Sequence, residues 1–563
     1  MVASGCDGGQ VSDSMHLSDP PFRRRALFAV QILLAVTVSA TLPAQKCDTV
    51  ISRTGLSRLS TREINSISIV TSPPAPLPGL ASRLSGVHVT TRTGVVQRDL
   101  LFAPGDKVDT ARIAESLRRL RHRQYLADAQ IEGLACPDKA VDLVIQTRDR
   151  WTTKPSLSVQ STSSFVGIQE DDLFGSGNSG SLSFALREGK PGAAAGYESY
   201  WFLGTSLAAK FRGAVYPDGN DFRARFRNQQ HSVFDEWRRE LILSQYIRDS
   251  KETPDKDFQS FHRQTALALV GKKIGKTPLH VDQFLFGADA ERATLSAPDR
   301  APVVGPHLVK RDYAGLKVGF ARQAAAFDTL TWLIEKQILI DVPIGFEWEG
   351  LAGAGVERAS GRAATFLNGW TGKMWPHGTQ SLSQLDLWGS GYHVAGRHNW
   401  EDASMRGAVS NYSRTMPGVL STHFVAEKLV NPDPDLRVLS NLDVSSYAVK
   451  LIYRFAEEAY AGSVQQTVHL GDLTHSFALD GAFFTAGSLR RKSPLSQSDH
   501  VTVVVIGAGL RIIPTLPGSG AVRLDVMYPV VHSKGAERRL VFALSLSPWL
   551  EASRHREDPR LRQ

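Results

Sequence analysis

The sequence predicts a mainly β fold: a transmembrane antiparallel β-barrel of about 16 strands preceded by one small α+β domain. Three observations predict it. Segments in which apolar and polar residues alternate recur from Pro155 to Leu550. A basic and then apolar run near the start has the order of an export signal. After that run, no stretch approaches the roughly 20 uninterrupted apolar residues that a membrane helix needs, so any membrane span here is made of strands.

Alternation is clearest near the end of the chain. Val522, Leu524, Val526 and Tyr528 fall on one face of an extended strand and Arg523 and Asp525 on the other, because strand side chains point to opposite faces with period two. The final strand, read as Leu540 to Leu550, sets Leu540, Phe542, Leu544 and Leu546 against Ala543, Ser545 and Ser547, and carries Trp549, an aromatic of the kind found at membrane interfaces. Pro514 to Gly520 is hairpin punctuation. Alternation by itself fits a soluble sandwich as well as a barrel with a lipid-facing exterior and a polar lumen.

Export comes from Arg23, Arg24 and Arg25, the apolar run Ala26 to Leu42, and the small-residue site at Pro43-Ala44. Residues 1–44 are therefore read as a signal peptide with an overextended start, Met15 being the expected initiator. The formal charge of +9 over 563 residues is spread along the strands and partly belongs to the signal, which excludes a concentrated nucleic-acid footprint. Of the three cysteines, Cys6 leaves with the signal. Cys47 and Cys136 remain as an even pair in an oxidising compartment, and so as a disulfide candidate.

Residues 62–150 break the alternating pattern. A short strand around Ile64 to Val70 is followed by the turn Pro104-Gly105-Asp106 and by a helix that Asp109 or Thr110 can cap, with Ile113, Leu117 and Leu120 at helical spacing. Arg112, Arg118, Arg119 and Arg121 take its other face, and strands follow around Ala127 to Ile131 and Ala140 to Gln146. Residues 45–61 are read as a linker, 151–550 as the barrel and 551–563 as a polar tail. Within the barrel, Leu182 to Leu186, Ser206 to Phe211, Phe222 to Phe226, Glu240 to Tyr246, Leu382 to Trp388, Val449 to Arg454, Phe477 to Phe483 and Val501 to Leu510 all alternate. The polar stretches Arg248 to Asp257 and Asn431 to Asp435 are expected in outward-facing loops.

Arg98 to Asp106, the helix Ala111 to Leu120, Gln124-Tyr125-Leu126 and Val141 to Thr152 together resemble a POTRA domain. The barrel motifs Leu173-Phe174-Gly175-Ser176-Gly177, Trp201 to Thr205, Phe483 to Gly487 and Gly507 to Val530 resemble those of the BamA/TamA family of outer-membrane proteins, the bacterial surface antigen family. The resemblance implies a barrel in the bacterial outer membrane with its POTRA-like domain in the periplasm. It also implies a weak seam between first and last strands, near Ser161 and Ser545, and insertion or translocation of proteins or lipids. The partners it implies are outer-membrane lipid, unfolded outer-membrane proteins and periplasmic assembly factors, with no nucleic acid. The family's Arg-Gly-aromatic lumen-loop signature is degenerate here, as Asp443-Val444-Ser445-Ser446-Tyr447. That departure favours an alternative, a passive channel or structural surface protein, while the retained POTRA-like domain opposes it.

Other motifs have plainer readings. Gly175-Ser176-Gly177-Asn178-Ser179-Gly180 matches a dinucleotide fingerprint, but the following Ser181 to Leu186 reads as a strand and presents no helix N-terminus to phosphate. His393 and His398 lack metal-ligand spacing. Asp149 and Trp151 mark the junction of domain and barrel, Trp151 as a membrane-interface anchor and Asp149 as a hydrogen-bonded junction residue. No serine elbow or cysteine–base pairing is visible, so neither catalysis nor a cofactor is expected.

Overall fold

A computed structural model describes residues 48–50, 62–74, 88–135, 140–159, 163–187, 190–216, 219–228, 234–249, 260–296, 308–330, 340–416, 418–430, 458–474, 477–491, 500–514, 521–532 and 540–547. The chain begins with an α+β unit: β1 (Asp48–Val50), β2 (Glu63–Ser72), α1 (Thr93–Arg98), α2 (Thr110–Arg121), β3 (Leu126–Ala135) and β4 (Ala140–Asp149). Asp109 caps α2, its carboxylate accepting from the backbone N–H groups of Ala111 at 2.8 Å and Arg112 at 3.3 Å, which satisfies two of the donors a helix start leaves open. The i, i+4 pair Ile113 and Leu117, with Leu120, then faces Val141, Leu143 and Ile145 of β4 in one buried core. The sheet order is β1-β3-β4-β2, with β2 parallel to β4. β1 lies in the stretch read as a linker, where it pairs Asp48 with Ala135 and Val50 with Gly133.

The remaining strands form a closed antiparallel barrel. They are β5 (Thr153–Val159), β6 (Ser163–Glu170), β7 (Ser179–Arg187), β8 (Lys190–Ser199), β9 (Leu207–Tyr216), β10 (Gly219–Asn228), β11 (Trp237–Asp249), β12 (Ser260–Lys276), β13 (His280–Ser296), β14 (Leu308–Ala324) and β15 (Ala326–Leu330), then β16 (Ile340–Glu357), β17 (Arg362–His377), β18 (Ser381–Val394), β19 (Glu401–Thr415), β20 (Gly418–Val430), β21 (Glu458–Thr474), β22 (Phe477–Arg491), β23 (His500–Pro514), β24 (Ala521–His532) and β25 (Val541–Ser547). β14 and β15 both pair with β16 and so share one position, which leaves twenty positions around the ring among the described residues. The expected count of about 16 is too low because it allotted too many residues to each strand with its loop. Connections as short as 188–189 and 217–218 fit more strands into the same length.

Period-two alternation decides inside from outside. In β13, Phe284 and Phe286 are exposed on the outer wall while Gln283, Leu285 and Glu291 are buried within. In β24, Val522, Leu524 and Tyr528 face out, and Arg523 and Asp525 face in, joined at 2.9 Å. Exposed Val166, Ile168, Phe184, Val318, Phe320, Phe483, Ile506 and Phe542 continue the apolar exterior, an arrangement that suits a hydrocarbon surround and not water. No described helix is long and apolar enough to cross a membrane. Of the polar stretches expected in loops, residues 250–257 and 431–435 lie outside the described residues. Arg248 and Asp249 are the last residues of β11.

Candidate functional site: seam, lumen wall and docked domain

The ring closes between β25 and β5, where, among the described residues, Leu544 pairs with Val159, Ser545 with Ser158 and Leu546 with Leu157. The flanking pairs β24–β25 and β5–β6 each match seven positions. Residue chemistry weakens this closure, since Pro155 in β5 has no N–H to give, and in hydrocarbon every unpaired backbone group is costly. The first barrel strand, β5, has Val159 as its last described residue, and Phe165 lies in β6, opposite Ser158. Accordingly Ser545 pairs with Ser158; Ser161 lies outside the described residues. The degenerate signature at Asp443, Ser445, Ser446 and Tyr447 and the pair Cys47 and Cys136 also lie outside them, as do Val449 to Arg454.

The lumen is not a plain polar bore. Arg238 of β11 donates to Glu349 of β16 at 2.7 Å, although β12, β13 and β14 separate those strands in the sheet. Along a flat wall, four strand spacings would be about 19 Å. The β11–β16 arc is therefore curled on itself. Its inner face encloses a small core of Leu269, Leu285, Ala321 and Leu351, with Leu285 at 0% exposure. At roughly 1.5–3 kcal/mol for each buried leucine, exposing these three to water would cost about 5–9 kcal/mol.

Ion pairs rim this core. Glu240 accepts from Arg225 and, at 3.0 Å, from Arg238; Glu291 lies 3.1 Å from Arg263 and 2.8 Å from Arg311; Lys317 pairs with Asp289 and donates to Asn368 at 2.9 Å. Beside them Tyr313, Phe366 and Tyr392 pack with centroids 4.2–5.4 Å apart. Glycine makes this packing possible, because a Cβ on Gly315 would come within 2.7 Å of the Phe366 ring and one on Gly353 within 2.7 Å of Lys317. Alternation in the sequence assigns these residues to the inner face but gives no sign of which distant strands meet.

The α+β unit docks on the end of the barrel where β5 begins. Arg92 donates its N–H to the Gly175 carbonyl at 3.0 Å, and the Thr91 hydroxyl donates to Asp172 at 2.8 Å. The dinucleotide-like glycines thus belong to a docking turn, and strand β7 follows them. Gly177 has φ +72°, and a Cβ there would meet Val95 at 2.8 Å. Burial raises the Asp172 carboxyl above its ordinary value, while the Gly177 N–H and Thr91 hydroxyl bonds oppose the shift. Asp149 is buried and accepts from the Thr91 N–H at 2.8 Å, with His88 Nε2 at 3.0 Å. Trp151 is also buried, edge-on to His88 at 5.9 Å. The expected interface-anchor role for Trp151 is corrected on that ground: its ring packs inside the junction instead of meeting lipid.

Four further contacts hold the unit. Arg123 stacks over Tyr200 of the barrel at 4.0 Å, and burial pushes that phenol up to about 12. On α2, Arg118 lies 4.6 Å over Phe327 of β15, Arg121 is 3.8 Å from Asp341 of β16, and Arg112 is 5.8 Å from the Phe234 ring just before β11. The arginine face predicted for α2 is therefore turned to the barrel, with Arg118 and Arg119 mostly buried.

No family model matches the sequence, and no curated protein matches it. Solved structures with a similar course include CdiB from Escherichia coli, at 9% identity over 89% of this chain and 80% of that chain, with a TM-score of 0.44. CdiB from Acinetobacter baumannii is 13% identical over 93% of this chain and 81% of that one, with a TM-score of 0.36. BamA from Haemophilus ducreyi lacking POTRA domains 1–3 is 11% identical over 86% and 84%, with a TM-score of 0.32.

Proposed function

We propose that this chain is an outer-membrane barrel of the BamA/TamA type that takes part in inserting or translocating proteins. The α+β unit then lies in the periplasm as its POTRA-like domain, beside unfolded outer-membrane proteins and assembly factors. The single observation that carries the reading is that the ring is closed by pairing the first barrel strand, β5, with the last, β25, with Pro155, which has no N–H, in the first of them. Such a junction can open to a membrane-embedded strand edge and template an incoming strand by backbone pairing, a form of recognition that needs no catalytic group. The docked unit supports the reading because its last strand, β4, runs into β5 with only Arg150, Trp151 and Thr152 between.

The lumen argues against the passive-channel alternative, since a diffusion pore keeps its wall solvated, whereas Leu269, Leu285 and Leu351 are buried within this one. Depletion followed by a census of the outer-membrane proteome tests the proposal: a selective loss of barrel proteins is the expected result. An unchanged census, together with high steady conductance of the purified chain in planar bilayers, would return the passive channel as the better reading.

A further inference from the structure

We propose that α2 is a clasp that holds the β11–β16 arc in its curled form, so that releasing the α+β unit unrolls the arc and widens the lumen. The inference rests on the membrane-barrel reading and adds to it a means of regulation. Two facts meet here. The curl is closed on its inner face by Arg238 and Glu349, which join β11 to β16 at 2.7 Å across three intervening strands. At the end of the barrel where the unit docks, α2 touches the two ends of that same arc. Arg112 reaches Phe234, three residues before β11, and Asp235 beside it attracts Arg119. Arg118 and Arg121 reach Phe327 of β15 and Asp341 of β16.

A helix is stiff along its axis, so one element bonded to both ends of an arc fixes the distance between them. Within the arc, Gly315 and Gly319 of β14 and Gly353 and Gly355 of β16 leave the backbone without side chains at close approaches, and glycine positions are where a sheet wall bends most readily. The Arg121 and Asp341 side chains are 12% and 4% exposed. Their attraction is therefore screened less than that of a solvated surface pair. A ligand that binds the unit better when it is undocked would shift the arc toward the open form by its differential affinity alone.

The test places spin labels on the outer wall at Leu243 in β11 and Ala352 in β16 of the full chain in detergent, and measures their separation. Replacing Arg118 and Arg121 with Ala is expected to lengthen it by about 5 Å or more, one strand spacing. The exchange of Arg121→Asp with Asp341→Arg is expected to restore the short distance. Phe327→Ala removes a contact from the barrel side and leaves the small domain intact, which guards against a misfolded α2. An unchanged distance in both the double Ala variant and Phe327→Ala overturns the clasp. Conductance in planar bilayers is read in parallel: a rise in the same variants supports it. A wild-type chain that never inserts would instead sink the membrane reading, while the label distance would still decide the clasp.

Discussion

Locking the seam tests the strand-templating reading most directly. Ser545 pairs with Ser158 across the closure, and directly opposed strand positions have Cα atoms about 4.5–5.5 Å apart, inside the range a disulfide spans. The double change Ser158→Cys with Ser545→Cys is therefore expected to oxidise without moving the strands. At about 1 kcal/mol net for each backbone hydrogen bond, and one bond for each of the three described pairs, these positions alone contribute about 3 kcal/mol to the seam. Hydrocarbon raises the cost of separating them, so opening must coincide with an arriving strand that pairs the freed groups. The assay is insertion of a model outer-membrane protein into vesicles carrying the oxidised or reduced variant, with heat-modifiable migration confirming a folded barrel. Oxidation is expected to abolish insertion and reduction to restore it. A folded, fully oxidised barrel that inserts substrate at the wild-type rate would refute the reasoning.

Three further outcomes follow from the α+β unit. Asp99 is fully buried and accepts from Arg123 Nε at 2.6 Å, with Arg119 at 3.5 Å. Asp99→Ala strands a buried guanidinium and is expected to cost about 3–5 kcal/mol, read as unfolding of this unit at lower urea while the barrel resists; an unchanged midpoint would exclude the network. Burial raises the Asp172 carboxyl, so the folded form holds its proton more tightly than the unfolded chain. That stabilisation is present below the ordinary carboxylate range and lost as pH rises through the raised value, and Asp172→Asn should flatten the pH dependence of docking-unit melting across that window; an unaltered slope counts against it. Finally, β1 pairs Asp48 with Ala135, and the residues adjoining these are Cys47 and Cys136. Mass spectrometry of the unreduced mature chain is expected to find the two joined, and complete alkylation without reduction would rule the bridge out.

Most of the strands were legible because alternation is a local property. Val522 to Tyr528 carries its inside and outside in the order of its own residues, and the structure keeps that order. The α2 helix was legible for the same reason, since the Asp109 cap and the spacing of Ile113 and Leu117 are read within a few residues. The strand count was not, because it depends on how many residues each turn consumes, and a Ser- and Thr-rich stretch such as Ser161-Thr162-Ser163 reads equally well as strand or connection. Nor could the seam be read in β25 or β5 alone: the pairing of Ser545 with Ser158 joins two strands almost 400 residues apart in the chain. The Arg238–Glu349 link, the leucine core behind it and the grip of α2 on both ends of the arc likewise depend on curvature. Sequence determined which face each side chain takes; only closing and curling the sheet decided which faces meet, because that choice is made by the sum of many strand pairings and not by any one segment.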